Sequence, residues 1–495
     1  MVLPHLHRAL FLSLLLLTPF LLVLFRYGSS LKKRNLPPSP FKLPVIGNLH
    51  QLMGPFPHRS LAALSNKHGP LMLLQLGQIP TLVISSAEIL QEIIETQDAN
   101  FSDRPSLIVP NKLLYGCKDV AFAPYGDHWR NVRKLIVFHL LSPPRIRSYH
   151  LIREQEVASM IDNIMNLSSL GLVVDLTGAI TVFAKEVASM IVFNKRSSEE
   201  GWNEMADVLL KDTNDLLVSF QIGDYFPRLS WLSSLIGFDA RLERTCSTVN
   251  KIIERIIEDR RISNSQPIGC GSKLDCFVDI LLSLEKDGKN YLDKDSVKAL
   301  TELEWAMAEL VRNPEAMKKL QNELRSKLGP KAIITNEELV GMGYLKSVIK
   351  ETLRLHTPGP LLGPRRVLQN TIVRGYEIPK RTRVIINAWD VSRDAGYWEA
   401  PGEFRPERFL NGLTDMKGRD FHFIPFGVGR RACTGKHFAI SIVEVALANL
   451  VYRFDWELPD GMRREDMDMG EAPGFTVRKR VNLRLLATPC SYSQE

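Results

Sequence analysis

The chain has 495 residues, 45% of them hydrophobic and 24% charged, with a formal net charge of +8. That length and apolar share allow a large buried core, and the basic residues are interleaved with acidic ones, as in Lys251 to Arg261, which argues against a nucleic-acid surface. Six cysteines (Cys117, Cys246, Cys270, Cys276, Cys433 and Cys490) lack paired spacing, which argues against a disulfide framework or a zinc site and fits a reducing compartment.

The first element is apolar. Ala9 to Phe25 is a run of 17 residues interrupted only by Ser13, Thr18 and Pro19, at the short end of what spans a bilayer. Arg26, Lys32, Lys33 and Arg34 follow it and only Arg8 precedes it, which predicts a cytosolic body and a luminal N-terminus. Residues 1–30 are therefore expected to be a membrane anchor, and residues 31–44 a basic, proline-rich hinge containing Leu36-Pro37-Pro38-Ser39-Pro40. A signal peptide cleaved near Gly28-Ser29-Ser30 is the competing reading. The sequons at Asn100 and Asn166 stay unmodified if the body is cytosolic.

The body, residues 45–495, reads as mainly α with a smaller β-rich part. Leu71–Leu76 and Thr81–Ser85 are short strands joined by a turn, and Thr371–Val373, Thr382–Asn387 and Val481–Leu486 are further strands. Helical periodicity marks Glu154–Met165, Trp202–Leu217, Leu242–Arg261, Glu302–Arg312 and Tyr344–Leu355. Asn313-Pro314 punctuates the fourth of these. Strands cluster early and late instead of alternating with helices, which argues against a doubly wound sheet.

Two patterns carry chemistry. Glu351 and Arg354 share one face of a helix and can pair, flanked by Leu353 and Leu355. Near the end, Pro425-Phe426-Gly427-Val428-Gly429-Arg430-Arg431-Ala432-Cys433-Thr434-Gly435 fits Phe-x-x-Gly-x-Arg-x-Cys-x-Gly, with fixed positions Phe426, Gly429, Arg431, Cys433 and Gly435. Gly429 and Gly435 are expected to permit tight turns and a close backbone approach. A helix beginning after Gly435 would place its N–H groups and dipole beside Cys433 and favour a thiolate. Such a nest suits a thiolate bound to haem iron.

These residues resemble the cytochrome P450 haem-thiolate monooxygenases over nearly the whole chain, and in detail the plant microsomal group called clan 71. The proline hinge, Trp129-Arg130-Asn131-Val132-Arg133, Glu351-Thr352-Leu353-Arg354 and Phe404-Arg405-Pro406-Glu407-Arg408-Phe409 match the family's other marks in order. The resemblance implies the cytochrome P450 fold as one haem domain, with haem b as cofactor and Cys433 as its axial iron ligand. It implies Trp129, Arg133, Arg365 and Arg431 around the haem propionates, and a structural trio of Glu351, Arg354 and Arg408. His356 reads as a haem-edge or structural residue. It also implies NADPH-cytochrome P450 reductase as partner and an endoplasmic reticulum membrane location. A small lipophilic substrate would meet segments 108–120, 209–220, 358–363 and 473–476.

One mark is missing. The family carries a long central helix with an Ala/Gly-Gly-x-Asp/Glu-Thr-Thr/Ser stretch, whose acid and alcohol relay protons during oxygen activation. Here Lys294–Leu300 resembles the start of that helix and Glu302–Leu310 its end, joined at Thr301. The loss is about 15 residues, or about 22 Å at roughly 1.5 Å per residue. No catalytic acid–alcohol pair is identified, and the shortened helix is not expected to cross the core. A mis-joined gene, a splice form or decayed copy, and a changed chemistry would each explain the junction. Oxidation of a plant-type metabolite therefore stands beside a catalytically impaired haem-binding membrane protein and a non-redox haem-thiolate isomerase or dehydratase.

Overall fold

The computed structural model describes residues 35–196, 212–235, 237–265, 276–283, 296–410, 420–474 and 476–490. The expected anchor, the first residues of the hinge and most of the Trp202–Leu217 segment lie outside them. Helices dominate: α1 Pro57–His68, α2 Ala87–Gln97, α3 Asp127–Leu135, α4 His150–Ser169, α5 Leu176–Phe193, α6 Phe238–Ser265, α7 Ser296–Arg312, α8 Pro314–Leu328, α9 Gly343–Leu355 and α10 Lys436–Arg453 are the longer ones. Pro314 opens α8 at its first turn, where a missing N–H costs nothing, so Asn313-Pro314 separates two helices as its sequence suggests.

The strands are β1 Leu71–Leu76, β2 Ile79–Ile84, β3 Val174–Asp175, β4 Arg365–Arg366, β5 Thr371–Val373, β6 Tyr376–Ile378, β7 Arg383–Ile386, β8 Phe454–Glu457, β9 Glu471–Ala472, β10 Arg478–Lys479 and β11 Arg484–Pro489. They form a sheet ordered β1-β2-β7-β4, a sheet ordered β3-β11-β8, and two hairpins. β2 runs parallel to β7, with Thr81 opposite Arg383 and Ile84 opposite Ile386. The described part of the hinge is stitched to these strands: the Leu73 N–H donates to Pro38 O at 2.9 Å and the Glu377 N–H to Asn35 O at 2.7 Å.

The main core lies between α4, α5, α7, α9 and α10. α10 is buried nearly all round from Phe438 to Tyr452, the pattern of a central helix. α5 is the one described helix long and apolar enough to cross a membrane. It is instead a core element here, with Ile180, Phe183, Val187 and Ile191 buried against α4 and α7. α7 runs without a break through Leu300-Thr301-Glu302, the junction at which the start and end of the expected central helix meet. Every residue from Thr301 to Val311 is buried, so this stretch of the helix lies in the core.

Candidate functional site

The cysteine loop connects the β-rich part to α10. Gly427 and Gly429 hold φ of +70° and +66°, a region that disfavours a side chain. A Cβ on Gly429 would also lie 2.6 Å from Asp98 Oδ1. That carboxylate accepts the Arg430 main-chain N–H at 2.9 Å, which pins the loop to the end of α2. The Cys433 N–H donates to Phe426 O at 2.8 Å, closing the turn. Gly435 departs from expectation: it sits at the N-cap of α10 with φ −89° and does not use glycine's freedom. Gly427, which the motif leaves open, is the second glycine the turn requires. The half-buried Cys433 precedes the first turn of α10, where the helix dipole favours negative charge on sulfur.

Beside the loop, buried guanidinium groups converge. Arg431 stacks over Trp129 at 4.2 Å and Arg133 lies 5.6 Å from the same ring. Arg431 donates to Ser102 O at 2.7 Å and Ala123 O at 2.6 Å, and the Trp129 indole N–H to Val120 O at 3.0 Å. These two side chains thus hold the main chain around residues 102–123. Arg365 donates through Nη2 to Val428 O at 2.6 Å, while its buried Nη1 makes no hydrogen bond and stands 3.7 Å from Asp98. A further cation joins them that sequence reasoning passed over. Arg104 binds the carbonyls of Ala121, Gly363 and Pro364 at 2.6–2.8 Å. Burial, and then the charges of Arg431 and Arg365, push the Arg104 pKa well below the usual arginine value. Burial brings Arg365 and Arg431 down to about 10. Buried cations that repel one another, one with an unsatisfied N–H, make a receptor for an anion.

Glu351, Arg354 and Arg408 come together. Glu351 accepts Arg354 Nε and Nη2 at 2.8 and 2.9 Å, Arg408 Nε at 2.9 Å and the Arg405 N–H at 2.8 Å. Arg354 also donates to the carbonyls of Ser392, Pro401 and Glu403, so the group ties α9 to the segment 392–408 that precedes the cysteine loop. His356 takes its structural reading: Nε2 lies 2.7 Å from Glu309 Oε1 and the ring stacks on Trp305 at 3.9 Å. Burial depresses its pKa and favours the neutral imidazole.

α7 brings three buried carboxylates into this core. Glu304 accepts the Thr177 hydroxyl at 2.6 Å and Glu309 pairs with His356. Glu302, only 4% exposed, has both carboxyl oxygens buried without a hydrogen-bond partner. Burial alone pushes its pKa well above the ordinary carboxylate value. It borders a cavity of about 10 Å³ with Ile349, Leu353, Pro358, Phe426, Ala439, Ile440 and Val443. That is the lower limit for one water.

A helical core thus packs behind a glycine-turned cysteine loop rimmed by buried arginines, an arrangement that can receive an anion. The family model "Cytochrome P450" matches residues 37–483. The chain is 45% identical to "Cytochrome P450 736A117" of Prunus mume over 97% of its own length and 96% of the relative's. It is 46% identical to "Cytochrome P450 71A1" of Persea americana, covering 89% and 91%. It is 39% identical to "Strychnine-11-hydroxylase" of Strychnos nux-vomica, covering 95% and 94%. The chain belongs to the cytochrome P450 family, in its plant clan 71 group, a family of haem-thiolate proteins.

Proposed function

We propose that the chain holds haem b through Cys433 and is a monooxygenase of a small lipophilic plant metabolite, served by NADPH-cytochrome P450 reductase at the endoplasmic reticulum membrane. The observation that carries this reading is the buried Arg365 Nη1 beside the Cys433 loop. It is an unsatisfied cationic donor of the kind that binds a propionate, so the residues fit the group. Arg104 and Arg431 would add charge, and Trp129 with Arg133 would back them. When bound, haem supplies the redox centre at which dioxygen is activated. The chain's own contribution is to orient and exclude. The Cys433 N–H···Phe426 O bond sets the loop, the dipole of α10 favours the thiolate, and the Glu351–Arg354–Arg408 group holds the segment before the loop. Exposed Arg430 and partly exposed Lys436 offer a basic face for an acidic reductase. Apolar Leu361 and Leu362 suit a lipophilic substrate.

A second reading, a haem-binding protein with weak turnover, is favoured by α7. The helix continues directly from Leu300 to Glu302, without the Gly-containing acid–alcohol stretch. The test is NADPH-driven product formation in microsomes, over a panel of lipophilic substrates. The chain is compared with a version carrying an Ala-Gly-x-Asp-Thr-Thr helix inserted between Leu300 and Glu302. Product only from the inserted version supports weak native turnover, whereas robust product from the native chain supports the monooxygenase.

A further inference from the structure

Three acids of α7 lie in the core, and only Glu302 lacks a partner there. The cavity it borders is bounded by Phe426, whose carbonyl receives the Cys433 N–H, and by Ala439, Ile440 and Val443 of the helix that follows the cysteine loop. Its remaining walls are Ile349, Leu353 and Pro358, at the end of the Glu351–Arg354 helix. Through Phe426 the cavity therefore adjoins the turn that carries the expected iron ligand. We propose that Glu302 forms part of the porphyrin seat of this chain, and that haem is retained only while its carboxyl is uncharged. The inference rests on haem being the occupant of the site.

The surroundings explain why charge is excluded. None of the seven residues that share the cavity is titratable. Most charged groups on the elements packed against α7 are engaged elsewhere; on α8, Lys319 pairs with Glu407, Arg325 with Asp455 and Lys327 with Glu323. On α7 itself, Glu304 binds Thr177 of α5 and Glu309 binds His356 at the end of α9. On α9, Glu351 and Arg354 bind each other, and Lys346 donates to Val340 O. On β10, Lys479 donates to Asp468 O. Glu444 of α10 owes its raised pKa to burial and feels Lys346, while His437 of α10 feels Lys436. Desolvation is the sole resolved cause of the Glu302 shift, so no nearby cation offsets an ionised form. Space for at most one water cannot rehydrate a carboxylate in place. An ionised Glu302 would also add negative charge to a site that would hold a thiolate and a porphyrin bearing two carboxylates. Haem binding and ionisation of Glu302 are then linked through one proton.

The test uses the full chain in detergent micelles. Haem affinity is measured by Soret titration from pH 6 to 9.5, with the carbon monoxide difference band as a second readout. The native chain is compared with Glu302→Gln and Glu302→Leu, and Cys433→Ala marks ligation-dependent binding. We expect native affinity to fall about tenfold per pH unit above the ionisation point, as one linked proton requires. Both substituted chains should lack that component, while any titration of Cys433 is common to all. Two variants guard against a folding defect in either, and circular dichroism reports folding directly. Superimposable pH profiles for native and Glu302→Leu chains, with Cys433-dependent haem binding intact, overturn the Glu302 inference alone. No Cys433-dependent haem binding by the folded native chain at any pH overturns both this inference and the haem reading beneath it.

Discussion

Removing the charge of Glu351 tests the internal ion network most directly. Glu351 and Arg354 are both 0% exposed, and Arg408 is 10% exposed. Glu351→Gln keeps the shape but leaves two guanidinium groups without their anion. Four bonds end on that carboxylate, three of them from guanidinium nitrogens. Breaking one partner of such a buried group costs about 3–5 kcal/mol. Glu92→Gln is the control, because the Glu92–Arg374 pair is 36% and 50% exposed. An exposed pair of that kind contributes at most about 1 kcal/mol. Combining Glu351→Leu with Arg354→Met should recover part of the loss, with a coupling of about 2 kcal/mol, because no uncompensated charge remains between them. Recovery stays partial because Arg408 keeps its charge without Glu351, and Ser392 O and Pro401 O lose their Arg354 donor. The assay is urea unfolding of each full chain at 25 °C, followed by circular dichroism. If Glu351→Gln shifts stability no more than Glu92→Gln, the network does not hold the segment before the cysteine loop.

Three further outcomes are expected. Cys433→Ser should abolish the thiolate-type carbon monoxide band of the reduced protein, and its persistence would reject Cys433 as the ligand. Glu302→Leu should stabilise the haem-free chain. The native carboxyl has a folded pKa above its unfolded value, so native stability falls as pH rises from about 4.5 toward the folded pKa. The gain from Glu302→Leu should therefore grow across that window to about 1–3 kcal/mol, as pH-series thermal denaturation will read; a gain independent of pH would refute the cause. Protease treatment of intact microsomes should digest the body, and glycans on Asn100 or Asn166 would overturn the cytosolic placement.

The site was legible where its signal is local. Cys433, its motif neighbours and the Glu351–Arg354 pair sit within short windows, so spacing alone brought them forward. Arg408 needed the family resemblance, because its partner lies 57 positions earlier. Arg104 escaped because its acceptors Gly363 and Pro364 are about 260 positions away, and nothing local separates it from a surface arginine. Gly427 escaped because a backbone angle leaves no mark on composition. Glu302 was passed over because the junction drew notice for what it lacks. Its meaning lies in the apolar residues of α9 and α10 that surround it. The last strand was expected at Val481–Leu486 and is found at Arg484–Pro489. Its register is set by β8, where Pro489 faces Phe454, and a single-strand pattern does not contain that partner.

The parallel pairing of β2 with β7 imposes a delay during synthesis. Thr81 lies opposite Arg383, so the second strand is made long after the first. At about 5–20 residues per second, roughly 15–60 s separate the two. Throughout that interval the β1–β2 hairpin leaves the ribosome with one open edge, and it does so close to the apolar N-terminal run. A chain held there needs that edge shielded, by a chaperone or by its own following helices, until β7 arrives.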